Sequence, residues 1–93
     1  MAILVAGCEL PPEATRFEKA CAAAVGAFRD AAVQITLEDC GTGQVRGSKD
    51  GVDLRANLRT LVDGSVRVEF HTSGANQALI HQVSRAYDER MGR

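Results

Sequence analysis

The sequence predicts an α+β fold, a two-layer sandwich of order αββββα in which one antiparallel four-stranded meander carries both helices on the same face. Three observations support this class. Helical periodicity occurs near the two ends of the chain, strand-like alternation of apolar and polar residues fills the middle, and glycine-containing turns separate the alternating segments. Because short turns join consecutive strands, we expect an antiparallel sheet.

The first helix is expected from about Glu13 to Asp30. Pro11 and Pro12 favour a start there, because proline is tolerated in the first turn and an acidic residue suits the positive end of a helix. One face carries an apolar stripe at helical spacing, which comprises Ala14, Phe17, Cys21, Ala24, Val25 and Phe28. Its alanines allow the helix to lie close to the sheet.

Four strands and a closing helix are expected after it. The segments that alternate apolar with polar residues are 33–38, 44–48, 52–59 and 66–71. Asp50-Gly51 and Asp63-Gly64 mark two of the turns between them. A second helix is expected from about Asn76 to Met91, with an apolar stripe of Leu79, Ile80, Val83, Ala86, Tyr87 and Met91.

The composition indicates one soluble-type folded domain. The chain has 93 residues, of which 45% are hydrophobic and 25% are charged. Its formal net charge is -1, whereas a dedicated nucleic-acid-binding domain is strongly basic. The aromatic fraction of 4% also leaves few side chains on which bases could stack. We therefore expect no nucleic-acid partner.

Alternation places a polar set of mixed charge on the sheet face turned away from the helices. Its members are Gln34, Thr36, Glu38, Gln44, Arg46, Ser48, Asp53, Arg55, Asn57, Arg59, Arg67, Glu69 and His71. Such a face is either simply solvated or a docking surface for a protein partner. In the second case Arg46, Arg55, Arg59 and Arg67 are the candidate contact residues.

The cysteines and histidines do not have metal-ligand spacing. The chain has three cysteines, Cys8, Cys21 and Cys40, and two histidines, His71 and His81, without a companion ligand nearby in sequence. We expect no metal and no cofactor. Along a straight helix and a straight strand, the distances of Cys21 and Cys40 from the connecting turn differ by ~10 Å. This offset exceeds the ~7 Å Cα–Cα limit of a disulfide. Free thiols are therefore expected at both.

The segment Leu4-Val5-Ala6-Gly7-Cys8 resembles the lipobox of bacterial lipoproteins, in which small residues precede a cysteine that receives the lipid. Residues 1–8 are then a signal-peptide remnant and residues 9–93 the folded domain. No basic residue precedes Arg16, so this interpretation requires a start further upstream. The alternative is that residues 1–8 form a short apolar arm or strand of the fold.

The lipobox-like start and the αββββα element order together resemble a group of small bacterial lipoproteins of uncharacterised activity. The segments that carry the resemblance are Leu4–Cys8, Val33–Leu37, Asp50-Gly51 and Asp63–Val68. The resemblance implies a domain of the cell envelope that contacts the membrane only through a lipid on Cys8. It supplies no catalytic residue.

The leading expectation is therefore a non-enzymatic envelope lipoprotein domain that serves as a binding or structural module. The alternative is a cytoplasmic protein-binding or regulatory domain that uses the arginine-bearing sheet face, with a homodimer as one form. A small enzyme is the third possibility. An enzyme requires that His71, Ser73 and Asn76 meet at the start of the last helix. Backbone N–H groups and a histidine at that position attract an anion.

Overall fold

The computed structural model describes residues 15–74 and 76–92, and it confirms the predicted αββββα order. The elements are α1 (Arg16–Asp30), β1 (Gln34–Asp39), β2 (Gln44–Lys49), β3 (Val52–Thr60), β4 (Val66–Thr72) and α2 (Gln77–Arg90). The strands form one antiparallel sheet in the order β1-β2-β3-β4. Among the described strands, β1 and β4 are therefore the edges.

The first helix begins later than its proline residues predict. Thr15 has extended backbone angles and is the N-cap, so α1 starts at Arg16 and not at Glu13. The Glu18 N–H donates to Thr15 Oγ1 at 3.0 Å, and the Thr15 N–H donates to Glu18 Oε1 at 2.9 Å. This capping box satisfies two backbone donors at once, which fixes the helix start at this position. The predicted start at residues 11–13 lies outside the described residues.

Both helices pack on one face of the sheet, which we call the inner face, and the core lies between the two layers. Helix α1 contacts all four strands and α2. Its small residues permit this close packing. The largest fully buried side chains are Tyr87, Phe28, Leu54, Val45, Val83 and Cys21. No charged side chain among the described residues is buried, and Tyr87 brings a buried hydroxyl into an otherwise apolar core, so the inner face is held chiefly by apolar burial.

The second helix agrees with its prediction to within a residue at each end. Asn76 is the N-cap of α2, and its Oδ1 accepts from the Leu79 N–H at 3.1 Å. Met91 is the C-cap. Within the described ranges, neither helix has the length and hydrophobicity that crossing a lipid bilayer demands.

Strand β1 contains a β-bulge that the alternating sequence does not reveal. Ile35 lies opposite Gly47, but the next pair is Leu37 opposite Arg46, so Thr36 is an extra residue in β1. A bulge of this kind bends the strand and increases its twist.

The bulge reverses the direction of the side chains that follow it. Leu37 lies opposite Arg46, on the sheet face away from the helices, and is 39% exposed. Glu38 lies opposite Val45, which is a core residue of the inner face. The prediction that Glu38 faces away from the helices is therefore wrong, and Leu37 does not lie on the core face that strict alternation gives it, because one inserted residue exchanges the two faces.

The prediction of free thiols at Cys21 and Cys40 is also wrong. The two residues form a disulfide with a Cα–Cα distance of 5.9 Å. The two cysteines meet because β1 is not a straight strand: it contains a bulge, which bends a strand, and it ends at Asp39. Asp39 Oδ1 accepts from the Gly41 N–H at 3.1 Å and from the Thr42 N–H at 3.3 Å, which closes a turn. That turn takes Cys40 out of the strand direction and towards α1.

Candidate functional site

The face of the sheet turned away from the helices, which we call the outer face, aligns three basic side chains. Arg46 of β2 lies directly opposite Arg55 of β3, and Arg55 lies directly opposite His71 of β4. All three are exposed. Side chains paired in this way stand about 5 Å apart at Cβ, so we refer to Arg46, Arg55 and His71 as the basic row.

The two arginines of the basic row have no carboxylate partner among the described residues. The Arg46 guanidinium donates only to a neutral amide, with its Nη2 at 3.5 Å from Gln44 Oε1. The ion pairs of the described chain involve other residues. Like charges directly opposite each other destabilise a sheet. The pair is therefore a local excess of positive charge that an anionic group would relieve.

The basic row lines a groove of about 450 Å3 on the outer face. Thr36, Asp53 and Ser73 also line it. A carboxylate seated there can accept from two guanidinium groups, since each presents several N–H donors in one plane. The groove is open, which suits a surface of another protein better than an enclosed small molecule.

The ion pairs that the described residues form on the outer face lie along β4. Glu69 Oε2 lies 3.3 Å from Arg67 Nε, and Glu69 Oε1 lies 3.8 Å from His71 Nε2. Glu69 itself lies opposite Asn57 and so does not reach across to an arginine of β3 by pairing. The positive end of the basic row is therefore at Arg46 and Arg55.

The four arginines predicted as contact residues form two separate pairs. Arg59 lies opposite Arg67, beyond the Asn57–Glu69 pair, whereas Arg46 lies opposite Arg55. The structure thus brings Arg46 and Arg55 together with His71, and it places Arg59 and Arg67 at the other end of the outer face. Arg59 and Arg67 remain candidate contact residues, but for a separate contact at that end of the outer face.

The predicted anion-binding corner is divided in the structure. Ser73 exchanges two hydrogen bonds with the Asp53 backbone, its Oγ accepting from the N–H at 3.0 Å and its N–H donating to the carbonyl at 2.9 Å. Asn76 caps α2 through the Leu79 N–H. His71 and Ser73 line the groove with the arginines, but Asn76 does not. The three residues do not form one site of their own.

One residue of the candidate site was missed by sequence reasoning. Leu37 was expected in the core, yet it lies beside Arg46 on the outer face and is one of the exposed large apolar side chains. An apolar side chain next to charged donors is typical of a protein-binding surface. The alternation around Leu37 is unbroken, so no local sequence signal could have revealed the bulge that turns it outwards.

The other predicted site lies outside the described residues. Cys8, the predicted lipid acceptor, belongs to residues 1–14, which the structure does not describe. Within residues 15–74 and 76–92, no cluster of three His, Cys, Asp or Glu side chains is placed to hold a metal ion.

Comparisons with known proteins add no relative to this picture. No family model, no curated protein and no solved structure matches the chain.

Proposed function

We propose that this chain is a non-enzymatic protein-binding module of the bacterial cell envelope, and that its basic row docks an acidic surface of a partner protein. The carrying observation is the directly opposed pair Arg46 and Arg55, which has no carboxylate partner among the described residues. An acidic partner turns this local repulsion into attraction.

The neighbours of the arginine pair support a protein as the partner. Leu37 and Thr36 offer exposed apolar and hydroxyl groups at one side of Arg46, and the exposed imidazole of His71 lies at the other side of Arg55. Arginine is enriched among the residues that dominate binding energies at protein interfaces. Complementary charge also accelerates association and selects the partner.

The disulfide supports an oxidising compartment. Disulfides persist in exported proteins and are rare in the reducing cytosol. The bond between Cys21 and Cys40 uses two of the three cysteines. The remaining one, Cys8, is the residue to which the lipobox resemblance assigns the lipid. A disulfide that leaves Cys8 as the third cysteine favours the envelope over the cytoplasmic alternative, with Cys8 as the point of membrane attachment.

The docking proposal is tested with hexaglutamate as the acidic probe. We expect a titration followed by 15N–1H NMR to shift the amides around the basic row, and we expect Arg46→Glu and Arg55→Glu each to weaken binding about tenfold or more. Arg85→Glu, on exposed helix surface of α2, makes the same change in net charge and is the matched control. If Arg85→Glu weakens binding as much as the other two, the probe senses only net charge and the proposed site is wrong.

The compartment is tested on protein recovered from its own host. The sample is alkylated without reduction and its peptides are analysed by mass spectrometry. We expect Cys21 and Cys40 to be unalkylated and linked, and Cys8 to carry a diacylglycerol group. Alkylated Cys21 and Cys40, together with an unmodified Cys8, would overturn the envelope proposal in favour of the cytoplasmic alternative.

A further inference from the structure

Strand β4 presents an unpaired row of backbone groups at the edge of the described sheet. Its hydrogen-bonding pattern follows from two bonds at its ends: the Leu61 N–H donates to the Ser65 carbonyl at 2.7 Å, and the Ser73 N–H donates to the Asp53 carbonyl at 2.9 Å. In an antiparallel ladder alternate residues bond to the neighbour, so the odd-numbered residues of β4 face β3. The residues whose N–H and C=O groups point away from β3 are Val66, Val68, Phe70 and Thr72.

The two edges of the sheet differ in how well they resist pairing with another chain. Strand β1 is interrupted by its bulge, a device that disfavours addition of a further strand. Strand β4 pairs with β3 without a register shift from Val66 to Thr72. It contains neither proline nor lysine, which commonly protect edges. A regular edge of this kind is a template for β-sheet extension.

The side chains of β4 specify what extends it, because they are complementary to a second copy of themselves. When two β4 strands run antiparallel with Val68 opposite Val68, Arg67 of each copy lies opposite Glu69 of the other. Val66 then lies opposite Phe70. The outward backbone groups of these even-numbered residues also match, since each forms reciprocal N–H to C=O bonds in that register.

We propose that two copies of this chain form a homodimer through antiparallel pairing of β4, with Val68 on the two-fold axis. The axis is perpendicular to the sheet, so the sheet continues from one copy into the next and both helix layers lie on the same side.

The other registers that the backbone permits are less favourable. With Glu69 on the axis, the two Glu69 carboxylates face each other, which places like charges opposite one another, and Arg67 has no acidic residue opposite it. With Phe70 on the axis, Val66 passes beyond the end of the partner strand and Arg67 loses Glu69. Of the registers centred on Val68, Glu69 and Phe70, the one on Val68 pairs Arg67 with Glu69 and also Val66 with Phe70.

The inner face of β4 also has apolar surface left for a second copy. Val66, Val68 and Phe70 are only half-buried. They line a groove of about 340 Å3 between β4 and α2, with Tyr87 and Ser84 on the helix side. Placing a second copy at this edge covers these side chains and joins the two cores.

The charged pair of β4 is free to change partners. Within one chain Arg67 Nε and Glu69 Oε2 lie 3.3 Å apart, and their side chains are 56% and 42% exposed. Such an exposed contact contributes little within the monomer. Each side chain can therefore turn to its counterpart in the second copy at little cost.

The experiment measures the mass of the full chain by sedimentation equilibrium over a range of concentrations. We expect the mass to rise towards that of a dimer. Arg67→Glu places Glu opposite Glu69 at both pairs, and Glu69→Arg places Arg opposite Arg67 at both pairs. Each variant alone is therefore expected to weaken dimerisation about tenfold or more, and an equimolar mixture of the two is expected to restore it as a heterodimer.

The controls distinguish pairing at β4 from a general effect of net charge and from loss of the fold. Lys19→Glu, exposed on α1, makes the same change in net charge as Arg67→Glu and is expected to dimerise as the unmodified chain does. Circular dichroism verifies that each variant is folded. A chain that stays monomeric at millimolar concentration overturns the proposal. So does a mixture that fails to restore the dimer, or an Arg67→Glu variant that dimerises more strongly than the unmodified chain.

Discussion

The inner face of the sheet stabilises the fold, whereas the outer face carries the proposed binding site. The inner face is covered by two helices, and no charged side chain among the described residues is buried there. The outer face is polar and places Arg46 directly against Arg55. The contrast indicates that folding depends on the inner face, while the outer face tolerates an unfavourable charge arrangement that a partner can use.

Solvent explains why the outer face can hold that arrangement. Two unit charges ~4 Å apart interact with only about 1 kcal/mol in water, because the high dielectric constant weakens the repulsion. The same two charges in the core would cost many times more. Substitutions on the inner face should therefore lower the free energy of unfolding by kilocalories per mole. Substitutions on the outer face should change it by tenths of a kilocalorie per mole.

The largest effect is expected from the disulfide that ties α1 to the end of β1. Replacing both residues in Cys21→Ala/Cys40→Ala should lower the free energy of unfolding by about 3 kcal/mol, since the bond restricts the unfolded chain over a sequence separation of 19 residues. Urea unfolding measures the difference. The unmodified chain in reducing buffer should give the same value as the variant; equal stability of all three samples would contradict the prediction.

A smaller loss is expected where β2 passes close to the start of β1. A Cβ at Gly47 would lie 2.7 Å from both the Gln34 carbonyl oxygen and Val33 Cγ1. Gly47→Ala should therefore cost about 1–3 kcal/mol, because the strands must separate to admit the methyl group.

Gly41→Ala is the matched control in the adjacent turn. Its nearest neighbour would be Asp39 Oδ1 at 3.3 Å, so we expect a change within about 0.5 kcal/mol. Thermal unfolding of the two variants compares them directly. A loss at Gly41 as large as that at Gly47 would contradict the interpretation.

The contact between the helix ends should add a modest dependence on pH. Arg90 donates to both carboxylate oxygens of Asp30, at 2.8 and 2.9 Å, and this hydrogen bonding lowers the pKa of Asp30. The pair therefore stabilises the fold above the ordinary pKa of 3.8, and its contribution disappears as the pH falls through the lower pKa of the folded state. Because the side chains are 42% and 44% exposed, we expect less than about 1 kcal/mol.

Asp30→Asn tests this pH dependence. The variant should be slightly less stable than the unmodified chain at pH 6, and the difference should shrink as the pH falls through the lowered pKa of Asp30. Unfolding curves at several pH values provide the measurement. A difference that stays constant from pH 6 to pH 2 would show that Asp30 acts through packing and not through its charge.

The smallest effect, of opposite sign, is expected on the outer face. Arg46→Glu places opposite charges across β2 and β3 and should stabilise the fold by about 0.2–1 kcal/mol at low salt. The double variant Arg46→Glu/Arg55→Glu restores like charges and should return to nearly the original stability. Thermal unfolding at low and high salt measures both. A destabilised Arg46→Glu variant would mean that the two arginines do not repel each other.

Much of the fold could be predicted because periodicity is a local signal. The strands β2, β3 and β4 were found with their correct faces, so Arg46 and Arg55 were correctly predicted to lie on the outer face. The helix start at Thr15 was also within reach, since Thr15 and Glu18 have the spacing of a capping box. The nearby prolines favour an earlier start, but the capping box decides it.

The sequence by itself determined the element order, the antiparallel meander and the outward set of β2, β3 and β4, because helix and strand periods depend on neighbouring residues only. The tertiary structure alone decided the disulfide between Cys21 and Cys40, the bulge that turns Leu37 outwards, and the pairing of Arg46 with Arg55. These depend on how segments distant in sequence bend and align. A strand that bulges by one residue moves side chains to the other face while its pattern of apolar and polar residues stays unchanged.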